Sequence, residues 1–368
     1  MHPSQKKTAS WQDIETVKFT QDILPKIDRR NYPEALRNLE RRLADVKNFE
    51  SHDPYTPIPF KEKRDYVMVD RIPGLSADQL KVFPDGSVVV GDENRISIYK
   101  KEQKSGLGLW TTLFKRNSDF PKGNFQLIPG GRILANGNNS YTSIWTSDGE
   151  GHWNRQEIGY MIDGCRCMHA MPNGNILGQV DEQLILFNMT KDGYTEQSDI
   201  SRNIEIPLVQ IQGMADGRIY TADDNAGILV WVVKDGVYED HIISTHAHTK
   251  PSMRATGDGK VFYIMMGNQN ILLEQQVSDD LSEDSWKREY LCPELKGVEQ
   301  IELLSEDRLL VCSRNKIFLL NQEDAQPWTA REILKSDHFI RCFAVLPDGR
   351  ILISEGEDKV SFWDGVDL

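Results

Sequence analysis

Cysteine and histidine residues near the middle of the chain have the side chains best suited to metal chemistry. Cys165, Cys167 and His169 are close in sequence. Thiolates and imidazoles bind zinc, but a structural zinc site needs four ligands, and no second pair lies nearby. Cys167 and Cys342 each lie five residues before the proline of a polar turn. A cysteine that recurs at one repeat position is typical of a small core residue.

Two further clusters contain metal-ligand side chains. His246 and His248, with Asp240 and His241 upstream, fall in a polar stretch that is typical of a solvated loop. Residues 223–227 resemble part of a calcium loop but lack its distal glutamate, and this favours a hairpin turn. The sequence therefore predicts no metal site and no cofactor.

Charge and motif content narrow the function further. The net charge is −13, and an acidic surface repels a phosphate backbone, which argues against a nucleic-acid partner. No apolar run is long enough to span a bilayer. The chain has no Gly-x-Ser-x-Gly, His-Glu-x-x-His or Gly-Lys-Ser/Thr motif, so it gives no signature of a hydrolase or a nucleotide-binding enzyme.

Internal repetition indicates the fold. Seven segments each contain a strand, a tight polar turn such as Pro84-Asp85-Gly86, a second strand, another turn and a third strand. The last residue of the first turn falls at positions 86, 131, 174, 217, 259, 307 and 349, so the spacings are 45, 43, 43, 42, 48 and 42 residues. This is the period of a four-stranded propeller blade. We predict an all-β protein in which residues 61–368 form a seven-bladed β-propeller.

Aromatic residues recur with the same period. Trp110, Trp153, Trp286 and Trp328 each lie 21 residues before the end of their turn, which marks a fourth strand in each repeat. Large aromatic groups at repeated positions are expected to pack between neighbouring blades.

The two ends of the predicted propeller complement each other. The last repeat ends soon after Trp363 without an outer strand, whereas residues 64–70 have strand character but no repeat of their own. We expect the N-terminal strand to complete the last blade and so remove an exposed sheet edge.

Residues 339–364 resemble a WD-repeat and end in Trp363-Asp364. The resemblance extends in pattern over residues 65–368, although the Gly-His dipeptide of that family is absent and only Trp363 carries the Trp-Asp pair. It implies a rigid platform that binds other proteins, usually without catalysis.

Residues 1–60 differ in pattern from the repeats. Ser10 to Asp13 resembles a capping box that opens a first helix. A second helix begins at Pro33 and carries an apolar stripe with Leu36 and Leu39, while 51–60 read as a proline-rich linker. The two helices either pack on each other and on the propeller, or they form a docking or dimerising element.

Candidate partner-binding residues lie where the innermost strands are expected to begin. Six residues before the turn proline, the repeats carry Asp78, Arg166, Glu299 and Arg341 at four of the seven positions. Mixed charges make a poor metal cage and favour a recognition rim. Salt bridges of the arginines to Asp78 and Glu299 are the alternative.

The predicted function is a non-catalytic scaffold that binds a protein or peptide through a loop face. The alternatives are a propeller enzyme, such as a metal-dependent hydrolase or lyase with its site in the channel mouth, and a structural ring that oligomerises through its helices. Scattered cysteines, five in number, and a polar N-terminus predict a cytoplasmic protein; delivery into another cell would also fit.

Overall fold

The computed structural model describes residues between 64 and 366. Within that range it describes all but the following: 74, 76, 93–94, 102–109, 116–124, 129–130, 137–141, 148–152, 158–166, 172–173, 181–182, 191–192, 198–199, 201–207, 224–226, 235–236, 245–248, 266–269, 278–284, 324–325 and 357–358. The predicted helical extension, residues 1–60, lies outside the described residues.

The described residues form seven separate four-stranded antiparallel sheets, each of them one blade. The first strand is β1 (Arg64–Pro73). Blade 1 contains β2 (Gln79–Val82), β3 (Val88–Asp92), β4 (Arg95–Lys101) and β5 (Trp110–Lys115). Blade 2 contains β6 (Phe125–Ile128), β7 (Arg132–Asn136), β8 (Thr142–Ser147) and β9 (Trp153–Glu157). Blade 3 contains β10 (Met168–Ala170), β11 (Ile176–Val180), β12 (Gln183–Thr190) and β13 (Gly193–Gln197).

The remaining blades follow in chain order. Blade 4 contains β14 (Leu208–Gly213), β15 (Ile219–Asp223), β16 (Ile228–Lys234) and β17 (Val237–Ser244). Blade 5 contains β18 (Thr249–Ala255), β19 (Lys260–Met265), β20 (Ile271–Gln276) and β21 (Trp286–Leu291). Blade 6 contains β22 (Val298–Ser305), β23 (Arg308–Ser313), β24 (Lys316–Asn321) and β25 (Thr329–Lys335). Blade 7 contains β26 (Ile340–Val345), β27 (Ile351–Glu355) and β28 (Lys359–Val366), and β1 is its fourth strand. The prediction of a seven-bladed β-propeller is confirmed.

The order of strands defines two faces of the propeller. The first strand of each blade in chain order is the innermost, and it lines the central channel. We call the end at which the innermost strands begin the top face. Because each sheet is antiparallel, the turns between second and third strands and the connections between blades also lie at the top face. The turns after the innermost strands lie at the opposite, bottom face.

The N-terminal strand closes the ring. β1 pairs antiparallel with β28, from Arg64 opposite Val366 to Pro73 opposite Lys359. Tyr66 is buried in a cluster built from blades 6 and 7, and its hydroxyl donates a hydrogen bond to the Gly349 carbonyl (3.0 Å). This strand therefore joins the start of the propeller to its last blade.

The turns after the innermost strands have the predicted chemistry. Gly86, Gly217 and Gly349 have φ values of 82°, 92° and 87°, in the left-handed region where a Cβ atom is unfavourable. Blade 6 differs because Ser305 pairs directly with Arg308, which leaves a shorter turn without glycine.

The hydrophobic core lies between the blades. Seven clusters of buried side chains occur among the described residues, and each combines two adjacent blades. Trp153 of blade 2 stacks on Phe83 of blade 1 (ring centroids 6.5 Å apart), and Trp328 of blade 6 packs against Phe262 of blade 5 in a T-shaped arrangement (5.7 Å). The predicted packing of tryptophan between blades is confirmed at these two interfaces.

The tryptophan of the WD-like segment, Trp363, is hydrogen-bonded into a buried polar network. Trp363 Nε1 donates to Ser361 Oγ (2.9 Å), and Ser361 Oγ donates to the Glu355 carboxylate (2.9 Å). Ser336 Oγ donates to the same carboxylate. Glu355 is thus the buried acceptor that orders the strands of blade 7.

Candidate interaction face and central channel

The predicted partner-binding residues lie at the top face, apart from Arg166, which is outside the described residues. Asp78 immediately precedes β2, Glu299 lies in β22, and Arg341 lies in β26. The structure brings Arg341 and Asp78 together across the junction of blades 7 and 1, with Arg341 Nη1 3.5 Å from Asp78 Oδ1. Both side chains keep more than a third of their surface exposed, 35% and 39%. Exposed pairs of this kind contribute little stability, about 0–1 kcal/mol, so both groups remain accessible to a partner.

Two exposed residues outside the repeat pattern lie near the start of β26, the strand that carries Arg341. Phe339, in the connection between blades 6 and 7, exposes 49% of its surface. Arg314, in the turn between β23 and β24, is exposed. The Ile340 N–H donates to the Arg314 carbonyl (2.8 Å), which fixes the turn against the start of β26. We call Arg314, Phe339, Arg341 and Asp78 the rim patch.

The local backbone explains the position of Arg314. Arg314 has a φ of 56°, in the left-handed region, which a tight two-residue turn requires. Its side chain lies over Gly297, where an added Cβ atom would come within 3.0 Å of the Arg314 Nε. Gly297 itself has a φ of 73°. These features place a guanidinium at the top face on a rigid turn.

Below the rim, one position of the innermost strands forms a ring around the channel. Seven residues share this position: each lies five residues before the last residue of the turn that follows it, and each pairs with the residue three positions after that turn residue, on the second strand of the blade. In blade order they are Lys81, Gln126, His169, Gln212, Arg254, Glu302 and Ala344. We call them the channel ring. Six of the seven are polar, although strand interiors between packed sheets are ordinarily apolar.

The glutamines of the channel ring join neighbouring blades. Gln126 donates to the Met168 carbonyl (2.7 Å) and accepts from the Ala170 N–H (2.9 Å). Gln212 makes the same two-point contact with Ala255 (3.0 and 2.9 Å). Gln79, Gln210 and Gln300 make similar contacts with the next blade; each lies two residues before the ring position of its strand and so nearer the top face. These amides pair with backbone that innermost strands leave open, so they stabilise the ring of blades.

The charged members of the channel ring interact electrostatically. Arg254 Nη2 donates to Glu302 Oε2 (2.8 Å), and Arg254 Nη1 donates to the Met253 carbonyl (2.9 Å). Burial alone would raise the pKa of Glu302, but the charges of Arg254 and Lys81 lower it below its usual value. Burial lowers the pKa of Lys81, and the charge of Arg254 adds to this while Glu302 opposes it. The Glu302 carboxylate therefore stays ionised between two cations.

His169 provides a test of the channel ring. Burial, with a further contribution from Arg254, lowers the pKa of His169 to about 3, against 6.5 when solvated. As the pH falls from 6.5 toward 3, the unfolded chain binds a proton that the folded chain does not. Stability should therefore fall over this range, by about 1 kcal/mol per pH unit from this residue. In His169→Gln, whose new side chain occupies the ring position of Gln126 and Gln212, this contribution should vanish. Urea denaturation at pH 7 and pH 5 measures the free energy of unfolding of the wild type and of His169→Gln. Equal losses of stability in the two proteins between pH 7 and pH 5 would contradict the assigned role of His169.

The metal-ligand residues of the sequence are dispersed in the structure. Cys165, His246 and His248 lie outside the described residues, and Cys167 is half-buried immediately before β10. Burial raises the pKa of Cys167 to about 12, so its thiol is protonated at neutral pH. Within the described part of the chain, no group of three or more His, Cys, Asp or Glu side chains could hold a metal ion. The same part contains no helix with the length and apolarity needed to cross a bilayer.

Solved structures of other propellers are similar to this chain. One is YCF48 bound to D1 peptide, with 14% identity over 84% of this chain and 98% of that chain and a TM-score of 0.59. Another is a chain of the Mitotic Checkpoint Complex, with 10% identity over 82% and 95% and a TM-score of 0.59. A third is virginiamycin B lyase from Staphylococcus aureus, with 13% identity over 82% and 100% and a TM-score of 0.55. At these identities the similarity establishes the fold and nothing finer. No family model and no curated protein matches the sequence.

Proposed function

We propose that this protein is a non-catalytic scaffold that binds a protein or peptide at the rim patch of the top face. The observation that carries the proposal is an exposed phenylalanine, Phe339, two residues before Arg341 and next to Ile340, whose N–H bonds to the Arg314 carbonyl. Aromatic and arginine side chains dominate the binding energy of protein interfaces. Loops fixed on a stiff framework are the usual place for such sites.

The rim patch has the stiffness that tight binding requires. The Phe339 carbonyl accepts a hydrogen bond from the Gly356 N–H (3.1 Å), and Ile340, the next residue, is fully buried. Little conformational entropy is therefore lost when the patch meets a partner.

The charges of the rim patch suggest the chemistry of the partner. Two of the three charged residues of the rim patch, Arg314 and Arg341, are cations, on a chain of net charge −13. We infer a peptide that places an apolar side chain on Phe339 beside one or more acidic residues. The fold similarity to YCF48 bound to D1 peptide is consistent with peptide binding.

The alternative function, a metal-dependent hydrolase or lyase in the channel mouth, has less support. A fold similarity to virginiamycin B lyase, at 13% identity, is consistent with it. The described channel ring supplies one carboxylate, Glu302, and Arg254 already binds it.

We also propose that the protein works in a reducing, cytoplasmic environment, and that residues 1–60 form a second docking or dimerising element.

Charge reversal on the rim should remove binding. Peptides selected against the wild-type propeller from a displayed library should bind Arg341→Glu at least about tenfold more weakly, because a contact with an acidic residue becomes a repulsion. Lys287→Glu makes the same charge change at an exposed site on the outermost strand of blade 5 and should leave affinity unchanged. Fluorescence anisotropy with the selected peptides measures both. Equal affinity for wild type and Arg341→Glu would move recognition away from the rim patch.

A further inference from the structure

The channel ring carries more positive than negative charge. Lys81 and Arg254 are cations and Glu302 is an anion, while His169 is neutral at pH 7, so the ring has a net charge of +1. This excess lies inside a chain whose net charge is −13. A net positive charge at this level of the channel attracts an anion.

The two cations differ in what they bind. Arg254 is occupied, because its guanidinium donates to Glu302 (2.8 Å) and to the Met253 carbonyl (2.9 Å). Lys81 is a half-buried residue of β2; within the described part of the chain its ammonium makes no hydrogen bond or ion pair, although it is close enough to Glu302 for the two charges to interact. A half-buried ammonium has three donors to satisfy, and leaving them unmet is costly.

The ring also has a gap next to these charges. Ala344 of blade 7 lies between Glu302 of blade 6 and Lys81 of blade 1 in ring order. From this position Gln126 and Gln212 reach the backbone of the next blade, whereas the methyl group of Ala344 carries no hydrogen-bonding group. The ring position between Glu302 and Lys81 therefore carries no polar group of its own.

We propose that the central channel contains an oxyanion site, in which Lys81 is the principal ligand and Arg254, held by Glu302, adds positive potential. The ligand class is a small phosphate or carboxylate anion. Ammonium and guanidinium groups bind both classes through short, charge-assisted hydrogen bonds. A bound anion would also offset the burial that lowers the pKa of Lys81. The site is separate from the rim patch and does not depend on peptide binding there.

Two substitutions with opposite expected effects test the site. Inorganic phosphate and succinate are titrated into the full-length protein by calorimetry, with sodium chloride matching the ionic strength. Lys81→Gln should weaken binding about tenfold or more, because it removes the principal ligand. Glu302→Gln should tighten binding several-fold, because it raises the ring charge to +2 while the amide oxygen still accepts from Arg254. Glutamine already occupies the ring position in blades 2 and 4, so both variants should fold.

The control is Lys316→Gln, which makes the same change at an exposed lysine of blade 6 that pairs with Glu332. It should bind either anion as the wild type does. Preference between phosphate and succinate identifies the headgroup class. The proposal is overturned if neither anion gives saturable binding. It is also overturned if Lys81→Gln binds as the wild type does, or if Glu302→Gln weakens binding as Lys81→Gln does.

Discussion

Deletion of residues 1–73 should abolish cooperative folding of the propeller, whereas deletion of residues 1–63 should leave it folded. The longer deletion removes β1, which pairs with β28 along its length and is the fourth strand of blade 7. It exposes the hydrogen-bonding edge of β28 and opens the core cluster that Tyr66 helps to fill. The shorter deletion ends immediately before β1 and serves as the matched control.

Thermal unfolding followed by circular dichroism measures the effect of each deletion. We expect the 74–368 chain, which lacks β1, to show no cooperative transition and the 64–368 chain to retain one. Point substitutions at Tyr66 separate the parts of this contact. Tyr66→Phe loses the hydrogen bond to Gly349 and should lower the free energy of unfolding by about 1 kcal/mol. Tyr66→Ala also creates a cavity and should cost about 3–5 kcal/mol. If the 1–73 deletion unfolded like the full chain, β1 would not be the element that closes the ring.

Glu274→Ala should produce the largest loss of stability from a single buried charge. The Glu274 carboxylate is 1% exposed, and it accepts hydrogen bonds from Arg288 Nε (2.6 Å) and the Tyr263 hydroxyl (3.1 Å). Ser244 Oγ, at the end of β17 in blade 4, accepts from Arg288 Nη2 (2.9 Å), so the network bridges blades 4 and 5. Removal of the carboxylate takes the charged acceptor from a guanidinium and a phenol, which keep the neutral Ser244 hydroxyl. Breaking such a pair costs about 3–5 kcal/mol, and the lower end applies because Arg288 remains 36% exposed.

Urea denaturation measures the loss against a surface pair of the same chemistry. Glu332→Ala breaks the exposed contact with Lys316 (2.6 Å; side chains 38% and 37% exposed) and should cost less than about 1 kcal/mol. The double substitution Glu274→Met with Arg288→Met should recover much of the stability lost in Glu274→Ala, because it removes both charges together. Equal losses for Glu274→Ala and Glu332→Ala would contradict the assigned role of the buried network.

The fold follows from local sequence patterns that repeat. The glycines at 86, 217 and 349 specify left-handed turns whatever surrounds them, and the regular spacing of those turns fixes the number of blades. Aromatic side chains at a repeated position need a neighbouring blade to cover them, so their packing could also be predicted.

The candidate sites depend on contacts between distant residues, and only part of them could be predicted. The repeat pattern predicted partner contacts where the innermost strands begin, at Asp78 and Arg341 among others, whereas the channel ring lies three residues further along. The same repeat alignment, moved by three positions, would have found Lys81, Arg254 and Glu302. The pairing of Arg254 with Glu302 depends on the angle between blades 5 and 6, which no local pattern encodes.

The rim patch illustrates a second limit. Phe339 and Arg314 belong to different connections of the chain, and they become neighbours only because the Ile340 N–H bonds to the Arg314 carbonyl. Neither residue repeats in the other blades, so periodicity gave no signal for them. The left-handed conformation of Arg314 is likewise set by tertiary contact, since arginine has no intrinsic preference for it.

Photo-cross-linking from residue 339 tests most directly whether the rim patch binds the partner. A photoreactive phenylalanine analogue replaces Phe339 in one protein and Tyr290 in another; the two residues are equally exposed, at 49% and 48%, but Tyr290 lies on the outermost strand of blade 5. With the peptides selected against the wild-type propeller, we predict a covalent adduct at position 339 and none at position 290. An adduct at position 290 without one at position 339 would contradict the account and place recognition on the outer strands.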